Sequence, residues 1–186
     1  MPKIAEIETT PNPNAMKFIL KEPLTWGVAR SYENADQAQE DELARRLFEI
    51  PHVSNVFYVD KWVTVTQDGG ADWKELARKV AEPIRFAAAA EAQDEELKSQ
   101  ADEAYANLSD KDKERIRNII EILDAKIRPF LKRDGGDLIV VGLQGDTLQV
   151  RYQGACGSCP SSLSGTLYAI VQLLRTIEPD IVVEAV

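Results

Sequence analysis

Residues 147–163 read Thr147-Leu148-Gln149-Val150-Arg151-Tyr152-Gln153-Gly154-Ala155-Cys156-Gly157-Ser158-Cys159-Pro160-Ser161-Ser162-Leu163. The first six alternate in the manner of a strand with one buried face. Two glycines and two cysteines spaced CxxC follow, and Pro160 suits the first position of a helix, where its missing N–H is no loss. Leu163, Leu167, Ile170, Val171 and Leu174 then recur at helical spacing, so Ser161 to Ile177 reads as a helix that Pro179 stops. A strand, a thiol-bearing loop and a helix thus follow one another in a few residues.

Working outward, Leu138 to Leu143 pairs with Thr147 to Tyr152 as a hairpin around Gln144-Gly145-Asp146. Asp134-Gly135-Gly136-Asp137 is a turn. Before it, Ile116, Ile119, Ile120, Leu123 and Ile127 form one apolar helix face that begins after the N-cap candidate Ser109 and is disturbed near Arg128 by Pro129. Ile181 to Glu184 is a closing strand. The pattern over 111–186 is α-β-β-α-β.

Residues 87–110 carry one base and seven acids, whereas 111–186 are neutral and 1–86 carry −3. This middle segment has no Gly or Pro and only two large aliphatics, Leu97 and Leu108. Ala, Glu, Gln and Lys favour helix, but no apolar face is wide enough to build a core. It reads as an acidic, partly helical linker between two small domains.

Residues 1–86 alternate short strands and helices. Ile4–Glu8 and Met16–Leu20 are strands about the turn Pro11-Asn12-Pro13-Asn14. Ala35–Glu49 is an amphipathic helix ended by Pro51. Val53–Val59 and Trp62–Thr66 form a hairpin about Asp60-Lys61, and a helix capped by Asp72 ends near Pro83. The pattern is β-β-α-β-β-α. The fold class is therefore α+β, with two small α/β domains joined by the linker.

Composition excludes several functions. The 186 residues carry 22 bases against 31 acids, a net charge of −9 without a basic stripe, which argues against a nucleic-acid partner. No apolar run approaches the ~20 residues that span a bilayer, so no membrane partner is expected. Two cysteines cannot staple a secreted fold, and the first residues form no apolar leader, so the expected location is cytoplasmic. There is no Ser-His-Asp set, P-loop or catalytic carboxylate pair, and the chain reads as no enzyme. His52 reads as structural, and Trp26, Trp62 and Trp73 as packing residues. Arg128 and Asp134, flanking the glycine turn, are candidates for orienting the cysteine loop or for a plain turn salt bridge.

Cys156 and Cys159 carry the chemistry. A disulfide between them would close a short loop and gain little. A redox dithiol is a second reading, although no thioredoxin-like βαβ precedes the motif. Metal is the third. Zinc structural sites and cubane iron–sulfur clusters take four ligands, and one chain supplies two thiols, so a closed four-thiolate site needs two chains. Such a site between subunits is easily taken apart, which suits delivery of a cluster.

Ile127-Arg128-Pro129-Phe130-Leu131-Lys132-Arg133-Asp134-Gly135-Gly136-Asp137-Leu138, followed by Gly154-Ala155-Cys156-Gly157-Ser158-Cys159-Pro160-Ser161-Ser162, resembles the NifU C-terminal domain of Nfu iron–sulfur carriers. Residues ~112–186 are similar along their length. Thr10-Pro11-Asn12-Pro13-Asn14-Ala15-Met16-Lys17-Phe18 resembles the opening of the Nfu N-terminal domain. The resemblance implies a labile 4Fe–4S cluster shared between two chains, with Cys156 and Cys159 as metal ligands. It implies a cluster-bridged homodimer, apo iron–sulfur proteins as acceptors and an upstream scaffold as donor. Residues 1–86 would then serve target recognition and 111–186 cluster binding. The family's larger members have a further scaffold domain with more cysteines, which is missing here. The rivals from other classes are a thiol-disulfide oxidoreductase and a zinc-bridged interaction dimer.

Overall fold

The computed structural model describes residues 2–89, 105, 108–157 and 160–186, with the side chains of 160–164 left out. The chain separates into two compact units, Met1–Asp94 and Glu95–Val186.

The first unit runs β1 (Ile4–Thr9), β2 (Ala15–Leu20), β3 (Arg30–Tyr32), α1 (Glu42–Phe48), β4 (Val53–Val59), β5 (Trp62–Gln67) and α2 (Trp73–Phe86). Its five strands lie in the order β1-β2-β5-β4-β3, every neighbouring pair antiparallel. Phe18, Val56, Val63 and Val65 from the sheet meet Leu47, Leu76, Val80 and Ile84 from the helices in one core. The β-branched and aromatic content of β4 and β5 favours this pleated, buried surface.

Two differences from the sequence reading stand out. β3 is an additional strand, so the order is β-β-β-α-β-β-α. The helix expected over 35–49 is confined to Glu42–Phe48, because Asp41 takes the cap and its Oδ1 accepts from Ala44 N at 2.9 Å. Asp41 Oδ2 also accepts from the hydroxyls of Tyr32, at 2.7 Å, and Tyr58. These bonds tie the edge strand β3, the strand β4 and the start of α1 to one carboxylate. α2 runs through Pro83 to Phe86, since a proline in the last turn forfeits only one intrahelical bond.

The second unit runs α3 (Asp110–Lys126), α4 (Arg128–Arg133), β6 (Gly136–Gln144), β7 (Thr147–Gly154), α5 (Pro160–Leu174) and β8 (Val182–Ala185). β6 and β7 are an antiparallel hairpin, and β8 joins β7 in parallel, giving the order β6-β7-β8. Ile116, Ile119 and Leu123 of α3 and Ile170 and Leu174 of α5 bury against Leu138, Leu148 and Val150 of the sheet. α4 was not expected. Pro129 ends the long helix at Lys126 and, sitting in the first turn of the next, starts a second one that buries Leu131.

Arg115 binds the ends of this unit together. Its guanidinium reaches Glu178 at 2.5 Å, Asp146 at 3.0 Å and the Gly145 carbonyl at 2.9 Å. It so joins α3 to the hairpin turn and to the segment before β8.

The segment read as linker, 87–110, lies mostly outside the described residues, and so does its expected helicity. Its end differs from that reading. Tyr105 Oη donates to the Val140 carbonyl at 2.5 Å, and Tyr105 and Leu108 pack on the core of the second unit.

Candidate functional site

The cysteine loop is set by the open end of the β6–β7 hairpin. Gly136 pairs with Gly154 and Asp137 with Gln153, which brings the glycine turn beside the residues that lead to Cys156. Ala155 N donates to the Gly135 carbonyl at 3.2 Å, and Gly157 N to the Gly154 carbonyl at 3.1 Å. Gly154 has φ +63°, a left-handed conformation that costs glycine nothing and lets the chain leave the strand sharply.

Cys156 lies in that turn and is only 2% exposed, packed into the core of the second unit. Gly136 makes this burial possible. A Cβ built there would stand 2.6 Å from Cys156 Sγ, so the bare Cα makes the room the sulfur occupies. Tyr152, 6% exposed, belongs to the same core, and its hydroxyl has no hydrogen-bond partner among the described residues. Burial, with a smaller effect of Cys156, pushes its phenol up to about 12.

Cys159 lies outside the described residues. α5 begins at Pro160, the residue that follows Cys159 in the sequence. Exposed N–H groups at a helix start favour negative charge. Among the described residues no three His, Cys, Asp or Glu side chains gather in a way that could hold a metal ion.

Arg128 and Asp134 do not pair. Arg128 Nε lies 2.8 Å from Asp124 Oδ1 and its Nη1 3.6 Å from Asp137 Oδ2, whereas Asp134 faces Arg133 at 3.6 Å. Asp137, 3% exposed, is thus the buried carboxylate at the start of β6. Burial raises its pKa, and the Arg128 charge and the Leu138 N–H, which donates to Oδ1 at 2.8 Å, oppose that rise. Sequence reasoning took Asp137 only as part of the turn. The signal available was a charged residue next to the apolar run Leu138–Val141.

The remaining candidates lie in the first unit. His52 has φ +77° and its Nδ1 is 3.1 Å from Asp68 Oδ1. Lys17 stands 5.3 Å from the Trp62 ring centre, Trp73 Nε1 donates to the Pro13 carbonyl at 3.0 Å, and Trp26 is exposed.

Residues 4–90 match the family described as "Scaffold protein Nfu/NifU N terminal", and residues 119–184 match the "NifU-like domain". The chain is 34% identical over 179 residues to the human "NFU1 iron-sulfur cluster scaffold homolog, mitochondrial", covering 95% of this chain and 68% of that protein. A Drosophila erecta protein of the same name is 29% identical over 179 residues, with 95% and 62% covered. A solved NifU-like protein from Saccharomyces cerevisiae aligns at TM-score 0.40 and 26% identity, covering 44% of this chain and 74% of that one. The two family matches, one on each small α+β unit, show a protein of the NifU-like class. The chain belongs to the Nfu/NifU family of iron–sulfur cluster scaffold proteins.

One expectation is overturned by these relatives. They are named as mitochondrial proteins, which points away from the cytoplasmic location read from the sequence. A scarcity of cysteines argues against a disulfide-stapled fold but does not tell one compartment from another.

Proposed function

We propose that this chain is an iron–sulfur cluster carrier that holds a labile 4Fe–4S cluster between two protomers and passes it to apo-proteins. Cys156 and Cys159 of each protomer are its ligands in this reading. The observation that carries it is the Cys156 turn after β7 in a NifU-like domain, Cys156 and Cys159 being the only cysteines in the 186-residue sequence. Four thiolates for a cubane then require two chains. The cluster is cargo, and the protein's part is to hold, shield and release it rather than to catalyse a reaction on it.

The buried Cys156 gives this reading a conformational step. A cysteine that is 2% exposed does not reach a ligand held between two molecules, so loading turns the side chain out of its seat beside Gly136. Residues 1–86 serve target recognition, residues 87–110 link the two domains and residues 111–186 bind the cluster. An upstream scaffold supplies the cluster, and apo iron–sulfur proteins accept it.

Anaerobic reconstitution with iron and sulfide, followed by sedimentation and iron and sulfide counting per chain, tests the reading. The expected result is an apo-monomer and a dimer with one cluster. One intact 4Fe–4S cluster on a strict monomer overturns it, and so does a protein that takes up zinc but no iron and sulfide.

A further inference from the structure

Ile127, Phe130 and Leu131 form one wall of a groove, and Gly165, Ala169 and Leu173 of α5 form the other. The groove is mostly apolar and holds about 430 Å³. It stays open because α5 presents a glycine and an alanine where larger side chains would fill it. Phe130 stands on its rim, 61% exposed, so an aromatic ring and an empty apolar groove lie side by side on one surface. Lys126, the last residue of α3, and Asp134, the residue that follows α4, also line it, so one cation and one anion flank the six-residue α4.

We propose that this groove is where two copies of the chain dock, each inserting Phe130 beside α5 of the other. The inference rests on the shared-cluster reading above and names the surface that brings the second pair of thiolates. Three observations favour a second copy over any other occupant. First, both walls lead to the cysteine turn: α4 runs through Asp134 into Gly136, which seats Cys156, and Gly165 lies five residues, ~7.5 Å, along the helix that begins at Pro160. A surface continuous with the ligands must lie near the partner whenever a cluster is shared. Second, the surface carries both an anchor and a receptor, which is what an isologous two-fold interface requires. Third, it carries one cation before and one anion after a short helix, so a two-fold axis crossing that helix would set Lys126 of each copy against the partner's Asp134. Rim charges of this kind fix register more than they add affinity, whereas a buried aromatic anchor supplies most of the binding.

The test uses the full chain under anaerobic conditions. Phe130→Glu alters an exposed side chain, and circular dichroism checks that the fold is kept. Sedimentation equilibrium of the cluster-loaded protein should show dimerisation weakened at least tenfold, with iron per chain falling in step. Lys126→Asp alone should weaken the loaded dimer severalfold, and adding Asp134→Lys should restore it, as only reciprocal pairing predicts. A Phe130→Glu protein that loads and dimerises like wild type overturns the docking surface while leaving the shared cluster intact. Normal dimerisation with loss of transfer to an apo-acceptor also overturns it and makes the groove an acceptor site. Should wild type load one cluster per monomer, the shared-cluster reading itself fails, which is a separate result read before any variant is made.

Discussion

The sulfur of Cys156 occupies the space that a side chain on Gly136 would need, since a Cβ there would lie 2.6 Å away. Gly136 has no positive φ, so its backbone alone would accept alanine. The contact, not the conformation, excludes a larger residue. Gly136→Ala is expected to overpack the turn, at ~1–3 kcal/mol, and to lower the melting temperature of the second unit. It should also push Cys156 from its seat, read as faster alkylation of the apo-protein by a small thiol reagent.

Replacing the cysteine itself separates ligation from packing. Cys156→Ala and Cys156→Ser should both lose stable cluster binding, counted as iron per chain after reconstitution. They should differ in stability. The serine side chain is more polar than the thiol and enters the buried core that Cys156 shares with Tyr152, at up to ~1–3 kcal/mol, so urea unfolding should find it the weaker of the two. Equal stability would mean that the seat is wet.

Tyr105 should matter to the second unit although it lies in the acidic segment. Its hydroxyl bond to the Val140 carbonyl is worth ~1 kcal/mol, so Tyr105→Phe is expected to cost about that much in denaturant unfolding. A fragment starting at 105 should accordingly be more stable than one starting at 109, which loses the ring and Leu108 as well.

Asp137 sets a pH dependence. Burial raises its folded-state pKa above the unfolded value, so the folded protein binds the proton more tightly. Its contribution is fully present below the unfolded pKa, ~3.9, and is lost as pH rises through the raised folded value. Relative to wild type, Asp137→Asn should therefore gain stability as pH rises above ~4. Urea titrations of both proteins across that window check the sign. A difference that is flat or falls with pH would show that Arg128 outweighs burial.

The sequence reading succeeded where a residue's environment depends on near neighbours. The face Ile116, Ile119 and Leu123 follows from helical spacing, and the β4–β5 hairpin from branched and aromatic residues on both sides of Asp60-Lys61. It failed where distant residues decide. β3 is three residues long and owes its place to Tyr32 and Tyr58 meeting Asp41. α4 holds in its first turn Pro129, a residue that reads equally as the end of the helix before it. Of the candidate site, the positions of the two cysteines in the chain were legible, but the burial of Cys156 depends on Gly136, 20 residues earlier, through a strand register that local pattern does not reveal.

The parallel placement of β8 has a consequence for synthesis. The sheet of the second unit gains its third strand from Val182–Ala185, nearly the last residues of the chain. A nascent chain on the ribosome can complete the first unit while translation continues, since every strand of that sheet is made by Gln67. The second sheet closes only once Val182–Ala185 has followed, so Cys156, 26 residues earlier, is made before the strand that completes its sheet.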